Sequence, residues 1–249
     1  MAAVTLGEFR ELVRQGKVHT YNQRLVEVSA DFPARMFLEA DVLDAGAGRR
    51  RKHFGSQLAL ARRIVGVDIA LDDLRANHDV DAPVVGDLER LPFRSASFDC
   101  VISVDVVEHL AEPAAFFREA ARCLRPNGLL VLCTPNLLGY KNLVARVLPR
   151  SFLDLAWRRL KGRPEQPHRT FYRSNTLRQI RRLGSDAGLN LERATHLDEI
   201  SHFCYPYPAL STLAYLYGRL LAGLRLGILL NYIVCVLRKP KTADFEVGA

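Results

Sequence analysis

The chain has 249 residues, of which 49% are hydrophobic, and this length suits one α/β domain with an elaboration. The first residues contain no apolar signal-peptide core, and the five cysteines show no paired metal-ligand spacing, which argues against a secreted protein or a zinc site. We therefore expect reduced thiols and a cytoplasmic location, with Cys100, Cys133 and Cys235 buried because they lie in apolar runs. The formal net charge of +8 is concentrated in residues 146–182, which hold 11 Lys/Arg and 2 Asp/Glu.

The N-terminal region has apolar residues at helical spacing. One helix is predicted over residues 6–28, with one apolar face made of Leu6, Phe9, Leu12 and Val13. We assign residues 1–35 to an N-terminal helical cap, which either closes over a ligand or packs as a plain structural helix.

A nucleotide-binding pattern follows in residues 40–68. An apolar run ends in Asp44, a turn of small residues contains Gly46 and Gly48, and a helix-like segment leads to a second apolar run that ends in Asp68. This order predicts strand, glycine turn, helix and strand, the first half of a doubly wound sheet. Asp68 lies 20 residues beyond Gly48, where an acid accepts hydrogen bonds from ribose hydroxyls. A tight turn without a ligand is the alternative interpretation.

Asp44, the acid that precedes the first glycine, distinguishes between the candidate cofactors NAD, FAD and S-adenosylmethionine. A carboxylate at Asp44 would repel the pyrophosphate of NAD or FAD, and the position of a third glycine falls in Arg49–Arg51. S-adenosylmethionine carries no phosphate, and its ammonium and sulfonium groups suit a carboxylate. The pattern therefore favours S-adenosylmethionine.

Further strands with acids at their ends are predicted in the middle of the chain. Residues 82–86 form a third strand that ends at Asp87 and Leu88, which can contact an adenine ring or form an ordinary exposed turn. Residues 98–104 form a fourth, buried strand that ends at Asp105. A helix over 114–124, with Pro113 in its first turn, a turn at 125–128 and a strand over 129–133 complete this part.

The C-terminal half contains two departures from regular α/β order. A basic insertion spans residues 137–173, and an apolar helical insertion spans residues 196–230. Between and after them we predict a helix capped by Ser174 and ended by Gly188, and strands over 189–194 and 231–237. The main α/β domain, which contains both insertions, is predicted over 36–240, with a tail over 241–249. The apolar insertion has no window long enough to span a membrane, which leaves a buried lid, a dimer face or a hairpin at a bilayer surface.

These motifs, in this order and spacing, resemble those of the class I S-adenosylmethionine-dependent methyltransferases, in the subgroup of small-molecule methylases. The resemblance covers residues 36–136, and its motifs are Val42–Gly48, Val65–Asp68, Gly86–Phe93, Ser97–Asp99, Val107–Leu110 and Leu124–Leu130. It implies a Rossmann-like, mainly parallel seven-stranded sheet with the last strand antiparallel and helices on both faces. The cations of Arg49–Lys52 depart from the family pattern and have no role in cofactor binding as predicted.

The resemblance also implies roles for individual residues, with S-adenosyl-L-methionine as the cofactor. The predicted cofactor-binding residues are Asp44 for the amino group, Gly46 and Gly48 for the methionine part, Asp68 with the adjacent Ile69 for the ribose, Asp87 with Leu88 for the adenine, and Asp105 near the sulfonium. His109 is the candidate catalytic base, although the same motif also fits a residue that only orients the loop. His168 is a second candidate base.

The acceptor is narrowed by charge and by a missing motif. Methylases of exocyclic base amines carry an Asn/Asp-Pro-Pro-aromatic turn after the fourth strand, and here the turn reads Asp105 to Glu108, which argues against a nucleobase amine. The basic segment 146–182 fits an acidic or lipid-linked acceptor, an anionic membrane surface, RNA or a solvated helical face. We favour a small-molecule, glycan or lipid-linked acceptor, with an RNA methyltransferase or a non-catalytic partner protein of the same fold as alternatives. The oligomeric state is not predicted.

Overall fold

The structure is a computed structural model that describes residues 4–29, 36–49, 54–140, 142, 169–200, 204 and 207–241. Its centre is a seven-stranded sheet of order β3-β2-β1-β4-β5-β7-β6. The strands are β1 (Asp41–Ala45), β2 (Arg63–Asp68), β3 (Ala82–Val85), β4 (Phe98–Val104), β5 (Leu124–Pro135), β6 (Asn190–Leu197) and β7 (Tyr232–Arg238). Only β7 runs antiparallel to its neighbours, β5 and β6. The predicted sheet, with its antiparallel last strand, is confirmed.

The helices of the described residues lie between these strands and ahead of them. They are α1 (Leu6–Arg14), α2 (Val18–Ser29), α3 (Gly55–Leu58), α4 (Leu71–Arg75), α5 (Pro113–Cys123), α6 (Leu177–Asp186) and α7 (Pro208–Gly223). Two short 3-10 turns, Val107–His109 and Gly227–Leu229, follow β4 and α7.

The sheet has a hydrophobic core on each face because its central strands are covered on both sides. Alternate residues of β4 enter opposite cores: Cys100 and Ile102 pack in one, and Val101 packs in the other. The first core includes Phe9 of α1, and the second includes Phe116 of α5. All five cysteines are buried, including the three that lie in predicted apolar runs.

The N-terminal region differs from the single helix predicted over residues 6–28. Helix α1 ends before Gly16, whose φ of 67° lies in the left-handed region that glycine adopts readily, and α2 begins at Val18. The ring of Phe9 stacks on Tyr215 of α7, with centroids 4.5 Å apart. This contact fastens α1 to the apolar insertion rather than leaving it as an independent cap. The domain limits 1–35 and 36–240 stay predictions.

The predicted cap of α6 was also wrong by two residues. Thr176 is the N-cap, and its hydroxyl accepts a hydrogen bond from the backbone N–H of Gln179 at 3.2 Å. The Ser174 hydroxyl instead donates to the carbonyl oxygen of Val107 at 2.9 Å. Gly188, with a φ of 77°, follows the end of the helix as predicted. Both candidates are good capping residues, so tertiary contacts decided which one took that role.

At the amino edge of the sheet, a nearly buried carboxylate joins two strands and two arginines. Asp41, the first residue of β1, is contacted by both Arg62 and Arg125, the latter at 2.9 Å. Arg125 also donates to Asp99 of β4 at 2.6 Å, and Asp99 accepts from the Asp41 backbone N–H at 2.9 Å. Burial would raise the pKa of Asp41, but the hydrogen bonds from Arg62 and Arg125 outweigh it and hold that pKa below its usual range.

We predict that Asp41→Asn lowers the free energy of unfolding by about 1–3 kcal/mol at pH 7, because a neutral amide replaces the carboxylate that accepts from both Arg62 and Arg125. A carboxyl group whose pKa is lowered by folding contributes stability above its unfolded pKa of about 3.9, and this is lost as the pH falls through the folded value. The difference from the parent protein should therefore shrink below about pH 4. Urea unfolding at several pH values measures it, with Asp72→Asn as the exposed control. A constant difference down to pH 3 would contradict the ionic origin.

Candidate cofactor-binding site

Four predicted acids meet along the carboxyl edge of the sheet. Strand order places the ends of β3, β2, β1 and β4 next to one another, and these ends carry Asp87, Asp68, Asp44 and Asp105 in that order. Three spacings of about 4.8 Å between neighbouring strands give an edge of about 14 Å. This is the side of a parallel α/β sheet on which ligands bind, and an extended nucleoside that carries an amino-acid chain suits such an edge.

The turn after β1 needs glycine at its first position. Gly46 has a φ of 83°, and its backbone N–H donates to the carbonyl oxygen of Val67 at 2.8 Å. A Cβ atom at Gly46 would lie 2.3 Å from Cγ2 of Val106, in the loop after β4. The turn after β1 and the loop after β4 therefore pack directly against each other, and a side chain at Gly46 would push them apart.

The carboxylate of Asp68 holds the other end of this turn. One oxygen accepts a hydrogen bond from the Gly48 backbone N–H at 2.9 Å, and the other accepts from Ala70 at 2.9 Å. Each carboxylate oxygen has a second lone pair for a ligand hydroxyl. A Cβ atom on Gly48 would meet nothing within 4 Å, so this turn borders open space. The next residue, Ile69, is 75% exposed beside it.

A residue that the sequence analysis missed also anchors the turn. The Asn77 side-chain amide donates to the carbonyl oxygens of Ala47 and Gly48, both at 3.1 Å, while its own oxygen accepts from the Asp79 backbone at 2.9 Å. The side chain is 5% exposed. An asparagine just beyond a short helix signals a turn, but its long-range partners depend on how α4 packs under the glycine turn.

In the turn after β3, Asp87 makes a hydrogen bond within the turn itself. One oxygen of Asp87 accepts from the Glu89 backbone N–H at 2.9 Å, an arrangement typical of an exposed aspartate turn. Leu88 is buried. The turn thus fixes where Asp87 and Leu88 lie, and their contact with adenine stays a prediction.

The loop after β4 begins with a residue in a sparsely populated backbone conformation. Asp105 has a φ of 55°, and its N–H donates to the carbonyl oxygen of Cys133 at 2.9 Å. Left-handed backbone at a residue with a side chain clusters at functional sites. The 3-10 turn that contains Glu108 and His109 follows immediately.

The hydrogen bond of His109 indicates which ring nitrogen carries the hydrogen in the neutral ring. Its Nδ1 lies 3.0 Å from the carbonyl oxygen of Arg169, and because a carbonyl only accepts, Nδ1 carries the hydrogen. In the neutral ring Nε2 is then the proton acceptor, and it lies 3.9 Å from Oε1 of Glu108. About a third of the side chain is exposed. If His109 acts as a base, Nε2 is the nitrogen that would accept the proton, and this catalytic role stays a prediction. His168, the second candidate base, lies outside the described residues.

Beyond the cofactor edge, buried acids surround the ends of β5, β6 and β7. Burial raises the pKa of Tyr232 well above its usual range, and the nearby charges of Asp105 and Glu199 raise it further. Glu199 accepts from the Asn22 side chain at 3.0 Å, which ties α2 to the segment after β6. Glu108 accepts from Thr134 at 3.1 Å. This side of the site is acidic and is reached by the N-terminal helices.

Comparisons with known proteins agree with this geometry. The family model described as "Methyltransferase domain" matches residues 43–132, which run from β1 to β5. A Mycobacterium tuberculosis protein named "Probable S-adenosylmethionine-dependent methyltransferase" is 37% identical over 105 residues, covering 40% of this chain. A demethylmenaquinone methyltransferase of a Mycobacterium species is 36% identical over 94 residues, covering 34% of this chain and 41% of that protein. The chain spans only 37% of the length of the first of these relatives.

Residues 43–132 thus match the methyltransferase domain family, and relatives that match this region are named as S-adenosylmethionine-dependent methyltransferases. Solved structures share its fold at low identity. A Mesorhizobium loti S-adenosylmethionine-dependent methyltransferase superposes with a TM-score of 0.55 at 18% identity, over 86% of this chain and 97% of that one. A chain from the complex of the Haloferax volcanii Trm112 methyltransferase activator with a methyltransferase gives 0.55 at 17% identity, over 95% and 98%.

The basic residues that depart from the family pattern are partly explained. Arg49 forms an ion pair with Asp73 of α4 at 3.0 Å, and this pair links the glycine turn to that helix. Residues 50–52 lie outside the described residues, as do residues 143–168, which include most of the basic segment. The described end of that segment contacts the loop after β4, since the Phe171 backbone N–H donates to the Glu108 carbonyl at 2.8 Å.

We predict that Gly46→Ala destabilises the methyltransferase domain by about 2–4 kcal/mol, because it adds a clash with Val106 to the cost of left-handed backbone. Gly188→Ala is the matched control, since Gly188 has a φ of 77° and an added Cβ would meet nothing within 4 Å. The control should cost about 1–2 kcal/mol, the cost of left-handed backbone alone. Thermal unfolding with and without S-adenosylhomocysteine measures both effects, and only Gly46→Ala should lose the ligand-induced shift. Equal behaviour of the two variants would show that the contact with Val106 is not limiting.

Proposed function

We propose that the protein transfers the methyl group of S-adenosylmethionine to a hydroxyl, or to an amine or carbon, of a small-molecule, glycan or lipid-linked acceptor. The observation that carries this proposal is the order Asp87, Asp68, Asp44, Asp105 along one edge of the sheet. In S-adenosylmethionine the sulfonium joins the ribose to the methionine chain, so Asp87 and Asp68 would face the adenine and the ribose in turn, and Asp44 and Asp105 would together flank the methionine part with its sulfonium and amino group. A dinucleotide fits less well, because its pyrophosphate would face the carboxylate of Asp44.

The described residues fit this cofactor. Asp68 keeps lone pairs for the ribose hydroxyls while its backbone partners hold the glycine turn in place. The open space at Gly48 allows a ligand to approach the backbone closely. Asp44 is 6% exposed, and a carboxylate at that depth suits the cationic amino group of the methionine part. When bound, the cofactor supplies an electrophilic methyl group on its sulfonium.

The protein would accelerate the reaction mainly by positioning the cofactor and the acceptor. Holding two reactants in line at near-attack distance can supply roughly 7–11 kcal/mol of the barrier. For a hydroxyl acceptor, a base must also take the proton, and in His109 this would be Nε2, because Nδ1 donates its hydrogen to the carbonyl oxygen of Arg169. The loop that carries His109 begins at Asp105, so the proton acceptor and the sulfonium-side acid belong to one segment.

The charges around the site favour an acceptor whose reacting group is neutral. Asp105 and Glu199 lie close enough to raise the pKa of Tyr232, so an anionic reacting atom would be repelled there. A hydroxyl or an amine can instead donate hydrogen bonds to these carboxylates. Any anionic part of the acceptor would suit the outer side, where Arg169 and Arg173 flank the ring of Phe171. A location at the cytoplasmic face of a membrane stays a prediction.

We expect Asp68→Ala to weaken binding of S-adenosylmethionine at least tenfold, because it removes the ribose acceptor and releases the Gly48 backbone N–H. Isothermal titration calorimetry measures the affinity, and circular dichroism checks that the variant is folded. The matched control is Asp72→Ala, whose carboxylate is 93% exposed on the nearby α4. Unchanged affinity in Asp68→Ala would remove this residue from the site. No binding by the folded parent protein at millimolar cofactor would overturn the proposed function.

A second prediction concerns His109. We expect His109→Gln to reduce methyl incorporation at least tenfold with cofactor affinity within threefold of the parent value, because the change removes a base and leaves Asp68 and the glycine turn in place. The measurement is transfer of radioactive methyl from S-adenosylmethionine into lipid, glycan, small-molecule and RNA fractions of a cell extract. Full activity in His109→Gln would leave the residue an orienting role. Incorporation into RNA alone, or into no fraction despite tight cofactor binding, would favour the alternatives.

A further inference from the structure

Helix α7 presents its most apolar side to solvent. Its inward side consists of Ser211, Tyr215, Gly218 and Leu221, all of them buried. Its outward side carries a band of large exposed side chains that we term the leucine ridge, made of Leu213, Leu216, Tyr217, Leu220 and Leu224. Leu213, Leu220 and Leu224 are 63%, 55% and 58% exposed. A helix that packs on a core normally does the reverse and buries its leucines.

Contacts on the inward side fix this orientation. Tyr215 stacks on Phe9, and its hydroxyl donates to the carbonyl oxygen of Val4 at 3.1 Å. The Ser211 hydroxyl donates to the carbonyl oxygen of Cys204 at 2.7 Å. A Cβ atom at Gly218 would lie 2.7 Å from a carboxylate oxygen of Asp198, so the helix approaches the main domain too closely for any larger residue. The leucine ridge therefore faces outward because of specific packing, and rotation of the helix would break it.

The exposed apolar surface continues past the end of the helix. Leu226 and Ile228, in the segment after α7, are 41% and 54% exposed. Contiguous exposed apolar patches of this kind mark interaction sites in folded proteins. None of the described helices is long and apolar enough to cross a membrane. The 16 residues of α7 give a rod of about 24 Å that has its apolar side along its length.

Cations outnumber acids around the leucine ridge. From residue 200 to residue 243 the sequence contains no Asp or Glu, whereas Arg219 and Arg225 flank the ridge. On the α1 side, Arg10 and Arg14 line the groove that Leu213 also lines. Arg14 is paired with Glu11 at 2.8 Å. The long arginine side chains can lie along an apolar layer and place their charged ends at a layer of phosphates.

We propose that the leucine ridge of α7 rests on an anionic lipid bilayer, with its leucines in the headgroup–acyl boundary and its arginines at lipid phosphates. This combination of an apolar helix face and a basic border is typical of interfacial helices that lie in the membrane plane. A second copy of the chain fits the ridge less well. Two ridges placed face to face would bring Arg219 and Arg225 of both copies together, and residues 200–243 supply no acid to pair with them. This inference does not rest on the proposed methyl transfer.

Vesicle flotation with the full chain tests the proposal. The probes are vesicles of phosphatidylcholine with 30% phosphatidylglycerol, and vesicles of phosphatidylcholine alone. We expect binding to the anionic vesicles that falls at least fivefold on pure phosphatidylcholine or in 0.5 M salt. The double variant Leu213→Ser/Leu220→Ser should lower binding to anionic vesicles at least tenfold. The matched control is Leu38→Ser in the turn before β1, a leucine that is 56% exposed away from the ridge, and it should bind as the parent does.

Three results would overturn the proposal. If the parent protein stays in the unbound fraction with anionic vesicles, the leucine ridge does not bind lipid. Equal binding by the double variant and the parent places the lipid contact elsewhere on the chain. A parent dimer in sedimentation velocity without lipid, which the double variant dissociates, assigns the ridge to self-association. Because the ridge lies away from Asp68 and the glycine turn, the double variant should keep the affinity of the parent for S-adenosylmethionine, which confirms that it is folded.

Discussion

The whole site depends on one close approach, that of the turn after β1 to the loop after β4. Gly46 leaves room for Val106 only because it lacks a Cβ atom, and Asp68 and Asn77 hold the same turn from the other side. The cofactor edge and the loop of His109 are thereby fixed to each other. A change at any of these contacts should disturb cofactor binding and acceptor chemistry together, since one packed unit carries both.

Sequence periodicity predicted the strands well because each buried strand must be a continuous apolar run, and the acids at their ends mark the carboxyl edge of a parallel sheet. Local signals failed where tertiary contacts chose between equivalent residues. Ser174 and Thr176 are both good helix caps, and the contact of Ser174 with Val107 left the cap to Thr176. The link between Asn22 and Glu199 joins residues 177 apart, so no local pattern reveals it.

Acidic and basic side chains occupy different regions of the molecule, which the net charge alone does not show. The net charge of +8 suggests a generally anionic partner, yet the groups that act on Tyr232 at the start of β7 include the carboxylates of Asp105, Glu108 and Glu199. The cations lie outside, at Arg169 and Arg173 and around the leucine ridge. An acceptor that presents a neutral hydroxyl inward and an anionic or lipid part outward matches both regions, whereas a uniformly anionic polymer matches only the outer one.

The leucine ridge and the acidic side of the site are joined through one residue pair. Gly218, on the inward side of α7, packs against Asp198, which also accepts from the Tyr140 hydroxyl at 3.2 Å and from the Asn231 side chain. The next residue, Glu199, contacts Asn22 and acts on Tyr232. A bilayer under α7 would thus lie one helix diameter, about 10 Å, from the acidic side of the site. This proximity favours a lipid-linked acceptor over a freely diffusing one, because the helix that would bind the membrane packs through Gly218 on Asp198, next to Glu199.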